Sequence, residues 1–380
     1  MLPFASLDFF ILFLAIILLV YLLKGVLTRV ISYTNLLLLI SLFYLCFFYP
    51  QLYHVLGFVI YSYVAFYLLS YKFKNTHRLL GSILIAVPLV LIKTKSFHGH
   101  LAFAGASYMT FRTIQVYIDS ETIKEKVSFN SFMTFLVFTP TLLVGPIDRY
   151  QRFTGDLDKG YSRLNAENAL AGWRFVLIGI LHKFVLAELT SRYLLEPLNA
   201  DSKLFVDMIK NMYVYTVYLY FDFAGYSFLA MGLGYMMGIA VPLNFNKPYL
   251  AENPQDFWKR WHISLGDWLR DYFFRPIYKS LSGYKSLKNY PLMKQNVALF
   301  STFALMGVWN GFEKYYIASG CVFGFYSLLH NSFVYYSKKR GKNVFDSMPQ
   351  WLSKSISILL MLNFACFAIY LFSGRFPYLK

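Results

Sequence analysis

The chain has 380 residues, 57% hydrophobic and only 14% charged, a balance too apolar for a soluble domain of this size and one that places it in lipid. Its formal net charge is +17, yet Lys and Arg are dispersed between apolar runs, which argues against nucleic acid and for anionic lipid headgroups or an acidic protein partner. Cys46, Cys321 and Cys366 lie far apart within apolar runs, so neither a disulfide framework nor a metal site is indicated.

Residues 9–23 form the first candidate span, with no amino-terminal positive charge or small-residue cleavage site to suggest a signal peptide. Lys24 and Arg29 follow it, which by the positive-inside rule puts them in the cytoplasm and the amino terminus outside. Two further apolar runs, 35–49 and 54–70, return the chain to the cytoplasmic side at Lys72, Lys74 and Arg78. The run 79–92 is short of the roughly 20 residues a span needs, so it is expected to tilt, thin the bilayer or belong to a broken helix. In 106–116, Arg112 and Gln115 interrupt an apolar stretch, the pattern of a re-entrant or interfacial helix. A span is expected at 132–144, stopped by Gly145 and Pro146, with Asp148, Arg149 and Arg152 as a surface ionic cluster.

After a polar loop at 159–167, a span over 173–187 carries His182 and Lys183, the lysine expected to snorkel to an interface. The run 204–220 leads into the densest polar chemistry of the chain. Asp222 sits there between apolar runs, and an ionisable residue at that depth is a functional suspect. Gly225, Gly232, Gly234 and Gly238 follow it and allow close backbone approach. Pro242 and Pro248 then break the run, and Asn253, Pro254 and Asp256 predict a capped helix start. Within that helix Trp258, Trp261, His262, Leu265, Trp268, Leu269 and Tyr272 recur at intervals of three and four. By pattern alone this is an amphipathic interfacial helix whose histidine is a satisfied core group. The stretch 280–294 reads as a basic cytoplasmic loop. Spans are expected at 297–309, 315–336 and 356–372, with Lys338, Lys339, Arg340 and Lys342 in the cytoplasm and the carboxyl terminus outside. The count is about ten to twelve membrane-embedded helices in a single integral membrane domain, 1–380. A transporter would show paired inverted halves, and none is seen.

The spelling of the centre carries more than its periodicity. F-D-F-A-G-Y-S at 221–227, N-F-N-K-P-Y at 244–249, and D-F-W-K-R-W-H-I-S-L at 256–265 with W-L-R-D-Y behind it resemble the signature of the membrane-bound O-acyltransferase family. S-Y-M-T-F-R, F-x-P-T-L and G-P-I-D-R-x-x-R-F, at 107–153, look like the branch that transfers D-alanine to teichoic acids in Gram-positive bacteria. The resemblance implies an all-α, polytopic membrane protein whose helices ring a funnel or tunnel. It implies an enzyme without a bound cofactor. D-alanine would arrive as a phosphopantetheine thioester on a small acidic carrier protein at the cytoplasmic face. The acceptor would be a teichoic or lipoteichoic acid hydroxyl, or a membrane peptide.

Such a reaction needs a base for the hydroxyl proton and donors for the developing oxyanion. The resemblance assigns the first family histidine to His262 and gives Asp222, Tyr226, Asn244, Trp258, Trp261, Arg270 and Asp271 as substrate or tunnel residues. The second family histidine, expected in a W-H-G segment, is Asn310 here. A further one is replaced by Phe323, and His330, seven residues on, reads as a polar residue near a helix end. Asparagine has no titratable nitrogen near neutral pH, so a catalytically impaired relative acting as a binding or scaffold subunit is the alternative reading.

Overall fold

The structure is a computed structural model that describes residues 7–48, 52–73, 76–94, 105–123, 126–143, 145–341 and 348–379. Lys74, Lys342 and the expected span ends at 49 and 144 lie outside these residues. Among the described residues the regular structure is helical apart from one antiparallel bridge, Phe245 to Trp261. They divide into two compact units, one running to Leu181 and including Gly225–Leu243, the other made of His182–Ala224 and the described residues from Asn244 onward.

The first unit contains α1 (Leu7–Leu22), α2 (Lys24–Val30), α3 (Tyr33–Phe48), α4 (Leu52–Tyr67), α5 (Arg78–Lys93), α6 (Ala106–Asp119), α7 (Phe129–Val137), α8 (Tyr150–Lys159), α9 (Ala166–Ile180) and the carboxyl-terminal part of α10 (Phe205–Met236). The second contains the amino-terminal part of α10 together with α11 (Pro254–Trp258), α12 (Ile263–Leu269), α13 (Arg275–Gly283), α14 (Pro291–Asn310), α15 (Lys314–Arg340) and α16 (Gln350–Phe372). Among the described residues four helices are long and apolar enough to cross a bilayer: Leu52–Lys72, Ala166–Leu195, Lys314–Arg340 and Gln350–Phe372. A fifth is added if α1 and α2, bent by 78° at Leu23, count as one broken span. The expectation of ten to twelve counted apolar runs. Several of those runs are helices of only 9 to 16 residues, such as α3, α5 and α7, short of a full crossing.

Arg112 organises the first unit. Its side chain on α6 is 1% exposed and donates through Nη1 to the carbonyls of Phe135 and Leu136, at 2.8 and 2.9 Å, and through Nη2 to the carbonyl and Oγ1 of Thr141, at 2.7 and 2.5 Å. These acceptors explain why the expected span at 132–144 is absent. Pro140 lacks a backbone donor and disfavours helix at Thr139, so α7 ends at Val137. Arg112 then serves carbonyls of its last turn. Burial lowers the guanidinium to about 10, still cationic at neutral pH.

Of the ionic cluster read as a surface feature, Asp148 is interior while Arg149 and Arg152 are half-buried. Asp148 is 3% exposed and pairs with Arg152, whose Nε lies 2.6 Å from its Oδ1. Arg152 reaches Asp156 at 3.1 Å, and Asp156 accepts from the Ala240 amide at 2.9 Å. Burial raises Asp148, opposed by its bonds to Arg152. Sequence proximity could not show this, because the burying surface comes from elements distant in the chain.

The glycines after Asp222 do what small residues permit. A Cβ at Gly232 would stand 2.8 Å from the Gly172 carbonyl, and one at Gly179 would stand 2.9 Å from the Gly225 carbonyl, so α9 and this part of α10 touch backbone to backbone. At the end of α10, Gly238 takes φ +69°, and the Gly238 and Ile239 amides bond back to the carbonyls of Tyr235 and Gly234. This is a left-handed helix stop. The Tyr21 and Tyr33 hydroxyls and Arg163 Nε satisfy the carbonyls of Met236, Met237 and Gly238 respectively.

In the second unit Gly307 of α14 and Gly320 of α15 come within van der Waals contact, and Asn331 donates to Asn296 at 2.7 Å across the same helix pair. Ser319 Oγ donates to the Ala368 carbonyl on α16 at 2.8 Å. The short element α11 packs on this group, Phe257 and Trp258 meeting Phe303 and Phe323.

Candidate active site

The expected helix starts where predicted. Asn253 Oδ1 accepts the Asp256 amide at 2.9 Å, Pro254 occupies the first helical position, and Asp256 pairs with Arg260 at 2.8 Å. The helix does not continue as one amphipathic stripe. It ends at Trp258, and the chain turns through Lys259 and Arg260 before α12 begins. Tertiary hydrogen bonds cause the break: the Asn246 amide donates to the Arg260 carbonyl at 2.8 Å and the Ile263 amide to the Asn244 carbonyl at 3.0 Å. Between them Phe245 bridges Trp261, giving a short two-stranded ribbon in an otherwise helical unit.

His262 sits at the end of that ribbon in the left-handed region, φ +46° and ψ +50°. A non-glycine residue there costs about 1–2 kcal/mol, and such strain persists where surrounding bonds over-determine it. Here they do. His262 Nδ1 is 3.1 Å from Asn244 Oδ1, and that oxygen also receives the Ser264 amide at 3.2 Å and the Ser264 hydroxyl at 2.8 Å. The Phe223 ring stands edge to face with the imidazole, centroids 4.7 Å apart. Burial pushes the imidazole down to about 3, so it is neutral at physiological pH. His262 is therefore a positioned group and not a passive member of a helical stripe.

Trp261 stacks on Phe257 at 5.7 Å between centroids and meets Phe245 edge to face at 5.1 Å. Trp258 lies in an adjoining aromatic cluster, 5.3 Å from Phe303 and 5.0 Å from Phe323. Its indole N–H is buried without an acceptor. Phe323, 4% exposed, also packs on Phe257 and Phe364, each at 5.8 Å. The position where the resemblance leads us to expect a further histidine is thus filled by hydrocarbon.

Asn310 is the last residue of α14, exposed, with Nδ2 donating to the Met306 carbonyl of its own helix at 2.8 Å. His330 lies in the interior of α15, not near a helix end. Asp222 Oδ1 is 2.6 Å from Lys183 Nζ, so the lysine expected to snorkel is instead the partner of Asp222. Arg270 and Asp271 are bonded to each other at 3.0 Å and, with Asp267 and Arg275, form a partly exposed ion network. Tyr226 belongs to the first unit, buried on α10.

Of the expected residues, the fold thus joins Asn244 to His262, with Phe223 against the imidazole and Phe245 packed between Phe223 and Trp261. It sets Asp222, Arg270 and Asp271 in ion pairs of their own. Lys183, read as an interfacial lysine, and Ser264, within the quoted motif, were not among the expected site residues; the H-x-S spacing at 262–264 was the available sign of Ser264.

The sequence matches the model of the membrane-bound O-acyltransferase family, MBOAT, over residues 26–374. The chain belongs to that family. Within it, the chain is 34% identical over 311 residues to the teichoic acid D-alanyltransferase of Bacillus subtilis (strain 168), covering 78% of this chain and 77% of that protein. It is 34% identical over 312 residues to the teichoic acid D-alanyltransferase of Streptococcus thermophilus, covering 78% and 75%. A peptidoglycan O-acetyltransferase of Helicobacter pylori is 32% identical over 213 residues, which span 56% of this chain and 39% of that one. Family membership and the apolar helices make this MBOAT protein a multi-pass membrane protein.

Proposed function

We propose that the chain is an acyltransferase of teichoic acid D-alanylation in the cell membrane, its helices ringing a tunnel and both termini outside. The observation that carries this reading is 34% identity, over more than three quarters of the chain, to proteins bearing that activity in their names. A D-alanyl group would arrive as a phosphopantetheine thioester on a small acidic carrier at the cytoplasmic face, a partner that the +17 net charge suits. No cofactor resides in the protein. The acceptor is a hydroxyl of teichoic or lipoteichoic acid, or of a membrane peptide, reached from the outer side. The thioester C–S bond breaks as the ester C–O bond forms, and the hydroxyl proton passes to the released thiol.

In this reading His262 hydrogen-bonds the acceptor hydroxyl and relays its proton, Asn310 orients or donates, and Trp258, Trp261, Asn244, Asp222, Arg270 and Asp271 line or support the substrate path. A specific observation favours a second reading. Phe323 is locked in an aromatic cluster and Asn310 donates to its own helix, so neither position holds the family's histidine. The protein would then bind carrier or acceptor as a scaffold.

The test incubates detergent-purified protein with D-alanyl-loaded carrier and acceptor, beside His262→Ala and Asn310→His. Turnover that His262→Ala abolishes supports the enzyme. Binding without turnover in the unmodified chain, even at high protein concentration, supports the scaffold, and turnover that appears only in Asn310→His would assign the loss to that position.

A further inference from the structure

One residue binds the His262 ring and the two residues that follow it. Asn244 gives its backbone carbonyl to Ile263 and its side-chain oxygen to His262 Nδ1, Ser264 N and Ser264 Oγ. The orientation of this amide follows from chemistry. A backbone N–H can only donate, so the atom 3.2 Å from Ser264 N is the carbonyl oxygen; the amide nitrogen there would set donor against donor. An oxygen that only accepts then requires a proton on His262 Nδ1. Because a neutral imidazole carries a single N–H, Nε2 is left with its lone pair.

We infer that Asn244 is a positioning residue that fixes His262 as the Nδ1–H tautomer and so turns the basic Nε2 toward the acceptor hydroxyl. The assignment of Nε2 to the hydroxyl rests on the acyltransferase reading above; the tautomer does not. The preference is against the intrinsic one, since imidazole side chains in water favour the proton on Nε2. The left-handed backbone at His262 serves the same end. Residues 262 to 264 make a turn in which ring, amide and hydroxyl converge on one oxygen, and a helical His262 continuing α11 would be carried away from it.

The experiment is nitrogen NMR of the full chain in detergent with ¹⁵N-imidazole histidine, the His262 signals assigned by their loss in His262→Ala. The unmodified chain is expected to show a protonated Nδ1 and a bare Nε2. Asn244→Asp, which keeps an acceptor, retains that pattern. Asn244→Leu, which keeps the volume and removes the acceptor, shifts the population toward Nε2–H. Nε2–H in the unmodified chain, or an unchanged tautomer in Asn244→Leu, overturns the inference. Where transfer is measurable, Asn244→Leu should lower kcat about 10²–10⁴-fold with little change in KM, as loss of the correct histidine tautomer does elsewhere, and Asn244→Asp should recover part of it. Absent turnover with the expected tautomer would sink only the enzymatic reading and leave the Asn244 clamp standing.

Discussion

Replacing Arg112 by methionine tests the first unit at its most concentrated point. The guanidinium is 1% exposed and makes four hydrogen bonds, three of them to the carbonyls of Phe135, Leu136 and Thr141. Methionine keeps most of the volume and donates nothing, so three buried carbonyls lose their donor. Each such loss costs about 1–3 kcal/mol, partly recovered because the substitution also removes a buried charge that had to be desolvated. The net expectation is about 3–5 kcal/mol, a large share of the margin by which folded domains are stable. Lysine carries the charge on a single point and cannot span the Phe135–Leu136 pair and Thr141 together, so Arg112→Lys should fall between. The measurement is equilibrium unfolding in mixed micelles of dodecyl maltoside and dodecyl sulfate, followed by tryptophan fluorescence. A loss below about 1 kcal/mol for Arg112→Met would refute the view that these carbonyls depend on Arg112.

Three further outcomes follow from the geometry. Because burial lowers His262 to about 3 from an unfolded value near 6.5, the unfolded chain binds more protons between these limits; this contribution to stability is complete above pH 6.5 and is lost as pH falls toward 3. His262→Gln should flatten that part of the unfolding-midpoint profile, and an unchanged slope would count against a buried neutral imidazole. Gly238→Ala should cost about 1–2 kcal/mol, since φ is +69° and the new Cβ would meet Arg163 Cβ at 2.9 Å. Gly232→Ala also meets backbone, so thermal unfolding of the two variants tests the α10 stop and the α9 packing separately. For the Lys183–Asp222 pair, Lys183→Met and Asp222→Asn should each destabilise, and the double variant should lose less than the sum. Strict additivity in the same unfolding assay would show that the 2.6 Å contact is energetically idle.

Composition and a handful of spelled motifs determined that this is an α-helical membrane protein of the O-acyltransferase family, because lipid demands long apolar runs whose backbone bonds close within the segment. Local chemistry also fixed the start of α11, since Asn253, Pro254 and Asp256 act within one turn of each other. Tertiary structure alone decided what lay beyond such short range. It set a buried Arg112 against the carbonyls of Phe135, Leu136 and Thr141 on either side of the α7 stop, joined Lys183 to Asp222, buried Asp148, and broke the tryptophan helix so that His262 could turn back onto Asn244. In each case the deciding group is a partner remote in sequence or a backbone strain stabilised from outside, and periodicity, which records only which face of a segment is apolar, carries no information about either.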